Sequence, residues 1–297
     1  MSTINDNLQR GIAFALATAL IGSTAGAATK LIANDVPISV IIFIQYGLCL
    51  LLMLPSILNN RTQLRTTQIR THIARGLAGW LSFWAYFYAL HEISLVEANL
   101  LRNTAPLFVP LVLLIWGGQV IEKRRWLPLI IGFIGISCIL SPENQNSQSA
   151  LPYWVGLGSG TALAASMIGT RRLSHTESSQ TIMFYYFALS TLCSLPLAAN
   201  NWQGLPALDT WPYLAYIGVS IYLAMWSYTL AYSYAKPSVV APISYFSVVF
   251  SGVIGWIFWQ DIPSTLSFFG IFLVVCAGGA TLALPSTIKE KQSNDSK

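Results

Sequence analysis

The chain has 297 residues, of which 54% are hydrophobic and only 9% are charged, and its mean hydropathy is +0.58. A soluble domain of this length carries about a quarter of its residues as Asp, Glu, Lys or Arg, so this composition excludes an ordinary soluble protein. The net charge of +5 requires no nucleic-acid partner, because short basic loops that face anionic lipid account for it.

Ten apolar segments follow one another along the chain, each close to the twenty or so residues that cross a bilayer core as a helix. The connections between them are too short to form separate globular domains. We therefore predict an all-α integral membrane protein with ten transmembrane helices. The predicted spans are residues 11–33, 38–58, 73–91, 95–117, 126–142, 152–171, 179–199, 211–234, 237–259 and 263–284.

Lysine and arginine are distributed unevenly over the two sides of these spans. If both termini are cytoplasmic, fourteen of the sixteen Lys and Arg residues, Arg75 among them, lie on the cytoplasmic side. An excess of positive charge in short loops marks the cytoplasmic face of a membrane protein. Lys30 lies at the outer end of the first span, and Arg102 lies within the fourth. The pattern predicts cytoplasmic termini and a multi-pass protein of a bacterial-type inner membrane.

The third span is unusually rich in aromatic residues. Trp80, Trp84 and Tyr88 recur every four residues and therefore share one face of the helix. Such a face can stack on an aromatic ligand or hold a cation by cation–π attraction, so we include these three residues in the predicted substrate site. Packing against lipid or against other helices is the alternative interpretation.

The fourth span carries two charges of opposite sign, Glu97 and Arg102. A charge near the bilayer centre costs at least about 2.5 kcal/mol, so it normally faces a cavity or a partner. Helical spacing places Asn99, Arg102 and Asn103 on one stripe with Pro106, whereas Glu97 is rotated away toward the outer surface. We predict that Arg102 binds an anionic group of the substrate, most readily a carboxylate, through its forked donors. A structural ion pair is the alternative.

Glu97 is open to three interpretations. Its carboxylate can attract a cationic group of the substrate, it can bind a coupling proton, or it can lie at the membrane interface without a direct role. An amino-acid-like substrate would suit both charged residues, with its carboxylate on Arg102 and its cationic group towards Glu97. We therefore include Glu97, Asn99 and Asn103 with Arg102 in the predicted substrate site.

The second half of the chain offers hydroxyl groups at a comparable depth. Tyr228 lies in the eighth span, and Ser244 and Tyr245 follow Pro242 in the ninth. A proline frees a backbone carbonyl group, which can bend the helix or bind a ligand. We interpret Pro242 first as a kink and add Tyr228, Ser244 and Tyr245 to the predicted substrate site.

The ten spans resemble one five-helix unit written twice. At an offset of 138 residues, Gly132 in the fifth span matches Gly270 in the tenth, and Cys138 matches Cys276. An odd number of spans per unit inverts the second unit in the membrane, an arrangement common in secondary transporters. The predicted domains are the cytoplasmic N-terminus 1–10, the first five-helix repeat 11–142, the linker 143–151, the second five-helix repeat 152–284 and the cytoplasmic tail 285–297.

Several short motifs carry a resemblance to a known family. They are Arg75-Gly76-Leu77, Leu95-Val96-Glu97-Ala98, Ala105-Pro106-Leu107-Phe108 and Gly117-Gly118-Gln119-Val120-Ile121-Glu122. With ten spans in two halves, the chain resembles the EamA-type transporters of the drug/metabolite transporter superfamily, in the branch that contains bacterial S-adenosylmethionine and other metabolite carriers. The resemblance implies a carrier. Gln260-Asp261 and Arg102 depart from the usual pattern of that family, so the resemblance transfers no substrate.

These observations lead to one functional prediction. The protein is expected to be a secondary active transporter of a small polar or zwitterionic metabolite that works by alternating access; an exporter of hydrophobic drugs or toxic metabolites is the alternative within transport. A membrane enzyme is the alternative of another class, and it is disfavoured because the histidines and outer carboxylates are scattered. The four cysteines lie inside spans without metal-site or disulfide spacing, so we expect no metal and no cofactor. A coupling proton or counter-substrate and the oligomeric state stay open.

Overall fold

The structure is a computed structural model that describes residues 8–59, 64, 66–117, 123–139, 150–173, 176–202, 204–234, 243–260 and 264–283. These residues form helices joined by turns and include no strand, which confirms the all-α prediction. The helices are α1 (Leu8–Ile32), α2 (Ile38–Asn59), α3 (Ile69–Glu92), α4 (Leu95–Arg102), α5 (Ala105–Gly117), α6 (Lys123–Ile139), α7 (Leu151–Leu173), α8 (Ser179–Asn200), α9 (Trp211–Tyr234), α10 (Phe246–Trp259) and α11 (Thr265–Ala283), with a 3-10 turn at Leu208–Thr210.

Four helical segments in the described part of the chain are long and apolar enough to cross a bilayer by length and composition alone. They are Gln9–Ile32, Ile38–Leu58, Ser179–Asn200 and Leu208–Ala231, and Phe246–Trp259 and Thr265–Ala277 are shorter apolar helices. The count of ten spans and the side of each terminus stay predictions. Several predicted features lie outside the described residues: most of the linker 143–151, the tail 285–297, the motif residues 118–122, Pro242 and Asp261.

The fourth predicted span is two helices rather than one. Its first part, α4, begins at a capping box in which Ser94 and Glu97 satisfy each other's backbone N–H groups. The helix ends at Arg102, Asn103 and Thr104 form a turn, and α5 begins at Ala105. Because Pro106 has no N–H group, it cannot donate to the carbonyl group of Arg102, which explains the interruption at this point.

The ninth predicted span has a turn at a similar place. Ser244 and Tyr245 form this turn, and α10 begins immediately after it. The backbone N–H groups of Ser247 and Val248 donate to the carbonyl oxygens of Ser244 and Tyr245, so the chain re-enters a helix through bonds of three-residue spacing. In both halves of the chain, a turn thus directly precedes a helix near predicted site residues.

Five pairs of helices, each with one helix from the first half and one from the second, pack in an antiparallel manner. In each of these pairs, a residue further along one helix meets a residue that lies earlier in the other, whereas α3 and α8 run parallel, as the contacts Gly76–Leu189 and Trp80–Ser194 show. The contacts that fix the antiparallel direction are Phe14–Trp226 and Thr24–Tyr216 for α1 and α9, Ser39–Asn201 and Tyr46–Tyr186 for α2 and α8, Arg75–Gly169 and Ala89–Gly156 for α3 and α7, Asn99–Ser251 and Asn103–Ser247 for α4 and α10, and Gly132–Ala277 and Gly135–Val274 for α6 and α11.

The larger interfaces are also symmetric when the two halves are exchanged. The most extensive ones join α3 to α7 and α1 to α9, and each becomes the other when α1, α2 and α3 are exchanged with α7, α8 and α9. The contact of α2 with α9 has its counterpart in that of α3 with α8. The two halves are therefore related by an approximate twofold arrangement.

The distribution of polar and apolar side chains is that of a protein whose surroundings are apolar. Large hydrophobic side chains are exposed over the outer surface, as at Leu51, Leu192, Val249 and Phe272, each more than half exposed. Polar side chains such as Ser23, Gln45, Arg75 and Asn99 are buried between the helices. A water-soluble monomer does not expose so much contiguous apolar surface, so the fold indicates an integral membrane protein.

Candidate substrate site

Arg102 is the last residue of α4, directly before the break in the fourth span. Its guanidinium carbon lies 4.2 Å from the ring centroid of Phe83 and 5.2 Å from that of Tyr86, both on α3. Its Nε atom is buried and has no hydrogen-bond partner among the described residues. The aromatic rings hold the cation by cation–π attraction but accept no hydrogen bond from Nε. The Nε–H group of Arg102 is therefore available to bind an anion.

The face of α3 that meets Arg102 differs from the one that the spacing of tryptophan residues suggested. Trp80, Trp84 and Tyr88 are only half-buried. Trp80 donates from Nε1 to Ser194 Oγ of α8 at 2.8 Å, and Trp84 stacks on Tyr88 at 5.8 Å. The buried face carries Phe83 and Tyr86 instead. The spacing of the tryptophans does not select Phe83 and Tyr86. The signal that could have found them is the pair Gly76 and Gly79, which lies on the same buried face of α3.

Asn99 and Asn103 connect α4 of the first half with α10 of the second. The side-chain nitrogen of Asn99 donates to Ser251 Oγ at 2.7 Å, and that of Asn103 donates to Ser247 Oγ at 2.9 Å. Each amide group also donates to a backbone oxygen one turn earlier in its own helix. Since both hydrogens of each amide are engaged, these two residues hold α4 against α10 in this structure, next to Arg102.

Glu97 lies on another side of α4. Its carboxylate accepts hydrogen bonds from the hydroxyl group of Ser94 at 2.8 Å and from the hydroxyl group of Tyr153 at 3.4 Å. Tyr153 belongs to α7, so Glu97 both caps its own helix and joins the two halves of the chain. This environment accounts for the burial of Glu97 through local and inter-helix bonds.

A second arginine is buried in the same region, and sequence reasoning had counted it among the cytoplasmic residues. Arg75 is only 5% exposed and fits against Gly169 of α7, where a side chain would collide with it. Its Nε atom donates to Thr170 Oγ1 at 3.0 Å, and its guanidinium carbon lies 3.9 Å from the ring centroid of Tyr186. Its Nη1 atom is buried without a hydrogen-bond partner in the described part of the chain.

A cluster of aromatic rings lies between the two arginines. The hydroxyl groups of Tyr46 and Tyr186 are 2.6 Å apart, and the ring of Tyr46 packs edge-on against Phe83, with 6.0 Å between the centroids. Tyr186 thus contacts Arg75, while Phe83 contacts Arg102. We name Arg75, Tyr186, Tyr46, Phe83 and Arg102 the two-arginine centre.

The three predicted site residues of the second half, Tyr228, Ser244 and Tyr245, differ in burial and in the helices that they contact. Tyr228 is half-buried and lies within electrostatic range of Arg75. Tyr245 is buried in a small apolar cluster with Val96 and Leu100 of α4, and its hydroxyl group has no hydrogen-bond partner among the described residues. Ser244 is exposed. Tyr228 therefore lies near the two-arginine centre on the side of Arg75, and Tyr245 packs against α4.

The described residues contain no group of three or more His, Cys, Asp or Glu side chains that could hold a metal ion. All four cysteines are free thiols. An apolar groove of about 340 Å³ also opens between α1, α9 and α10. None of the predicted site residues lines it; its lining residues are Thr24, Ala27, Ala28, Leu31, Pro212, Tyr213, Tyr216, Ile254 and Phe258.

The chain is similar over most of its length to several proteins that are named as transporters or exporters. It is 29% identical to the pseudopaline exporter CntI of Pseudomonas aeruginosa over 92% of this chain and 95% of the relative. It is 28% identical to a riboflavin transporter of Vibrio cholerae, with 88% and 87% covered. It is 23% identical to an S-adenosylmethionine uptake transporter of Rickettsia bellii, with 79% and 80% covered.

One solved crystal structure shares the fold, with a TM-score of 0.63 at 16% sequence identity over 91% of this chain and 95% of the other. The family model described as the EamA-like transporter family matches the chain twice, over residues 9–141 and 150–282. The two matches correspond to the two halves that pack symmetrically. The chain belongs to the EamA-like transporter family.

Proposed function

We propose that this protein is a secondary active transporter that moves a small polar or zwitterionic metabolite across the bacterial inner membrane by alternating access. The residues around Arg102 bind the substrate between the two halves of the chain. The ten spans form two inverted five-helix repeats, 11–142 and 152–284, with both termini in the cytoplasm. The linker 143–151 joins the repeats outside the membrane, and the terminal segments 1–10 and 285–297 are cytoplasmic.

The antiparallel packing supports the inverted arrangement. If the two repeats crossed the membrane in the same sense, symmetry-related helices such as α4 and α10 would run parallel to each other. The bonds Asn99–Ser251 and Asn103–Ser247 require them to run in opposite directions. Opposite directions are expected when the twofold axis lies in the membrane plane, as it does in many secondary transporters.

The observation that carries the proposed substrate chemistry is the environment of Arg102. Arg102 is half-buried, and its buried Nε atom has an unused donor, which is costly within a membrane protein unless something negatively charged reaches the guanidinium group. Phe83 and Tyr86 contact the cation through their rings but cannot neutralise it. A carboxylate of the substrate supplies both the charge and the acceptor atoms.

The relatives support transport of metabolites without selecting one. The three that are described above are named for pseudopaline export, riboflavin transport and S-adenosylmethionine uptake. These names differ in both the solute and the direction of movement, so substrate choice within this family depends on residues that vary. Arg102 is our candidate for such a residue, and a coupling proton or a counter-substrate would drive the cycle.

Transport by purified protein in liposomes tests the proposal. Uptake of labelled amino acids, adenosylated metabolites and organic anions is measured for the wild type, for Arg102→Ala and for Arg70→Ala, an exposed arginine on α3 that serves as the matched control. We expect transport of at least one anionic or zwitterionic solute, near-complete loss in Arg102→Ala and little change in Arg70→Ala. Full activity of Arg102→Ala towards hydrophobic drugs, with no transport of polar solutes, would contradict the proposal.

A further inference from the structure

The two-arginine centre contains the positive charges of Arg75, which is buried, and of Arg102, which is half-buried, and none of its five residues is acidic. Neither Arg75 nor Arg102 takes part in the ion pairs His72–Glu177 and His91–Glu92. The electrostatic neighbours of Arg75 include the hydroxyl groups of Tyr186, Tyr46 and Tyr228 and the imidazole of His72, and those of Arg102 include Tyr46, Tyr86 and Tyr186. Tyrosine hydroxyl groups can accept hydrogen bonds but do not neutralise a guanidinium group.

Each arginine also has a buried nitrogen atom without a hydrogen-bond partner in the part of the chain that the structure describes. These atoms are Arg75 Nη1 and Arg102 Nε. Buried donors are almost always satisfied, and buried charges are normally paired. Two such groups that share one aromatic cluster indicate a site prepared for two negative groups.

The two guanidinium groups lie too far apart to share one small anion. Tyr186, which lies under Arg75, packs against Gly79 of α3. Phe83, which lies under Arg102, is one helical turn further along α3. The two cations are therefore offset by one to two turns, or roughly 6–12 Å at 1.5 Å per residue. One carboxylate or one phosphate cannot make forked hydrogen bonds to both at that distance.

We propose that Arg75 and Arg102 together bind a solute that carries two carboxylate groups, one on each guanidinium group. Carboxylates match the charge of the centre, because each carries one negative charge and each guanidinium carries one positive charge. Phosphate groups carry between about 1.5 and 2 negative charges each and would leave the centre negative. Tyr186, Tyr46 and Phe83 pack between the two guanidinium groups that would hold the two ends of the solute. The inference rests on the proposed transport function and specifies its substrate class.

Binding of linear dicarboxylates to the purified protein tests the inference. The series from butanedioate to decanedioate and the monomethyl ester of each acid are titrated, with the intrinsic tryptophan fluorescence and the melting temperature as readouts. We expect the diacids to bind more tightly than their monoesters, on the order of tenfold in Kd, with one chain length preferred. Equal affinity for diacids and monoesters, or affinity that does not depend on chain length, would overturn the inference.

Variants assign the two ends of the solute. Arg75→Met and Arg102→Met are each expected to abolish the preference for the diacid, whereas Lys30→Met, which removes a positive charge at the end of α1, should preserve it. If Arg75→Met does not fold, Arg75→Lys retains the charge without the fork and should reduce the preference. A diacid preference that survives in both Arg75 variants excludes Arg75 from the site.

The inference and the proposed function fail separately. Transport of a monocarboxylate in liposomes that depends on Arg102 and not on Arg75 would preserve the transport function and overturn the two-carboxylate site. Absence of transport for every solute tested, with intact diacid binding, would preserve the two-carboxylate site and overturn the transport function.

Discussion

The hydroxyl groups of Tyr46 and Tyr186 lie 2.6 Å apart and join α2 of the first half to α8 of the second. Both side chains are buried, so the substitution Tyr46→Phe leaves the hydroxyl group of Tyr186 without a partner. We expect this variant to lose roughly 1–3 kcal/mol of stability, and Tyr186→Phe to behave alike. Removing both hydroxyl groups should restore much of the loss, because no polar group is then left unsatisfied.

Thermal unfolding of the two single variants and the double variant in detergent measures this coupling. The expected order of melting temperatures is wild type, then the double variant, then both single variants. Additive losses in the double variant would show that the two hydroxyl groups act independently.

The close approach of α7 to the break in the fourth span makes a second prediction. A Cβ atom on Gly160 would lie 2.6 Å from the carbonyl oxygen of Leu101 and 2.5 Å from Thr104 Oγ1. Since the first of these is a backbone atom, Gly160→Ala must displace the turn, at a cost of about 1–3 kcal/mol. We expect a lower melting temperature and weaker transport.

Gly158→Ala is the matched control on the same helix, because nothing lies within 4 Å of the added Cβ atom. Its melting temperature should stay unchanged or rise slightly, as alanine favours the helix more than glycine does. Equal melting temperatures for Gly158→Ala and Gly160→Ala would contradict the packing described at the break.

The register of α4 against α10 can be tested by crosslinking. In a protein whose native cysteines are replaced, Asn99→Cys with Ser251→Cys and Asn103→Cys with Ser247→Cys are expected to form disulfides on oxidation, because the native side chains are in contact. The mismatched pair Asn99→Cys with Ser247→Cys should not crosslink. Gel mobility under non-reducing conditions gives the readout, and a crosslink in the mismatched pair alone would refute the antiparallel register.

Contacts at the proposed cytoplasmic ends predict a barrier that closes access to Arg75. Thr66 donates to Glu177 at 2.6 Å, and Gln68 donates to Thr176 at 2.8 Å, so residues before α3 are joined to those before α8. Replacing Thr66 by Val and Gln68 by Ala together should weaken this barrier. We expect a cysteine at position 170, beside Arg75, to react several-fold faster with a water-soluble maleimide.

Thr71→Val, on the half-exposed surface of α3, is the control for this labelling experiment. Its rate should equal that of the unmodified background. If the Thr66 and Gln68 replacements leave the rate unchanged as well, the contact does not limit access to Arg75.

The helical architecture could be read from the sequence because apolar length and loop charge are local properties of the chain. The interruption at Asn103 and Thr104 was less accessible. Pro106 marked it, yet a proline also permits a continuous kinked helix, and only the backbone bonds around the turn distinguish the two.

The role of each candidate site residue stays a prediction, and the structure shows only where each side chain lies. Arg102 was identified because a charge within an apolar span needs a reason, and the structure gives it aromatic neighbours. Periodicity on α3 selected Trp80, Trp84 and Tyr88, whereas the helix turns Phe83 and Tyr86 inward. Tryptophan spacing cannot reveal which face is buried when all faces are apolar. Arg75 lies near the end of a predicted span, where a positive charge is common, so the sequence gives no sign that it is buried. Its burial depends on contact with Gly169, which lies in a helix far away in the sequence.

The paired bonds between α4 and α10 also limit how the two halves can move. Asn99 and Asn103 are one turn apart, as are Ser251 and Ser247, so sliding one helix along the other would break both bonds at once, and a slide of one full turn would restore only one of them. A rolling motion about the line through the two bonds can preserve them. The broken spans are then the pivot of the cycle, and a disulfide between positions 99 and 251 should leave a transporter that still turns over.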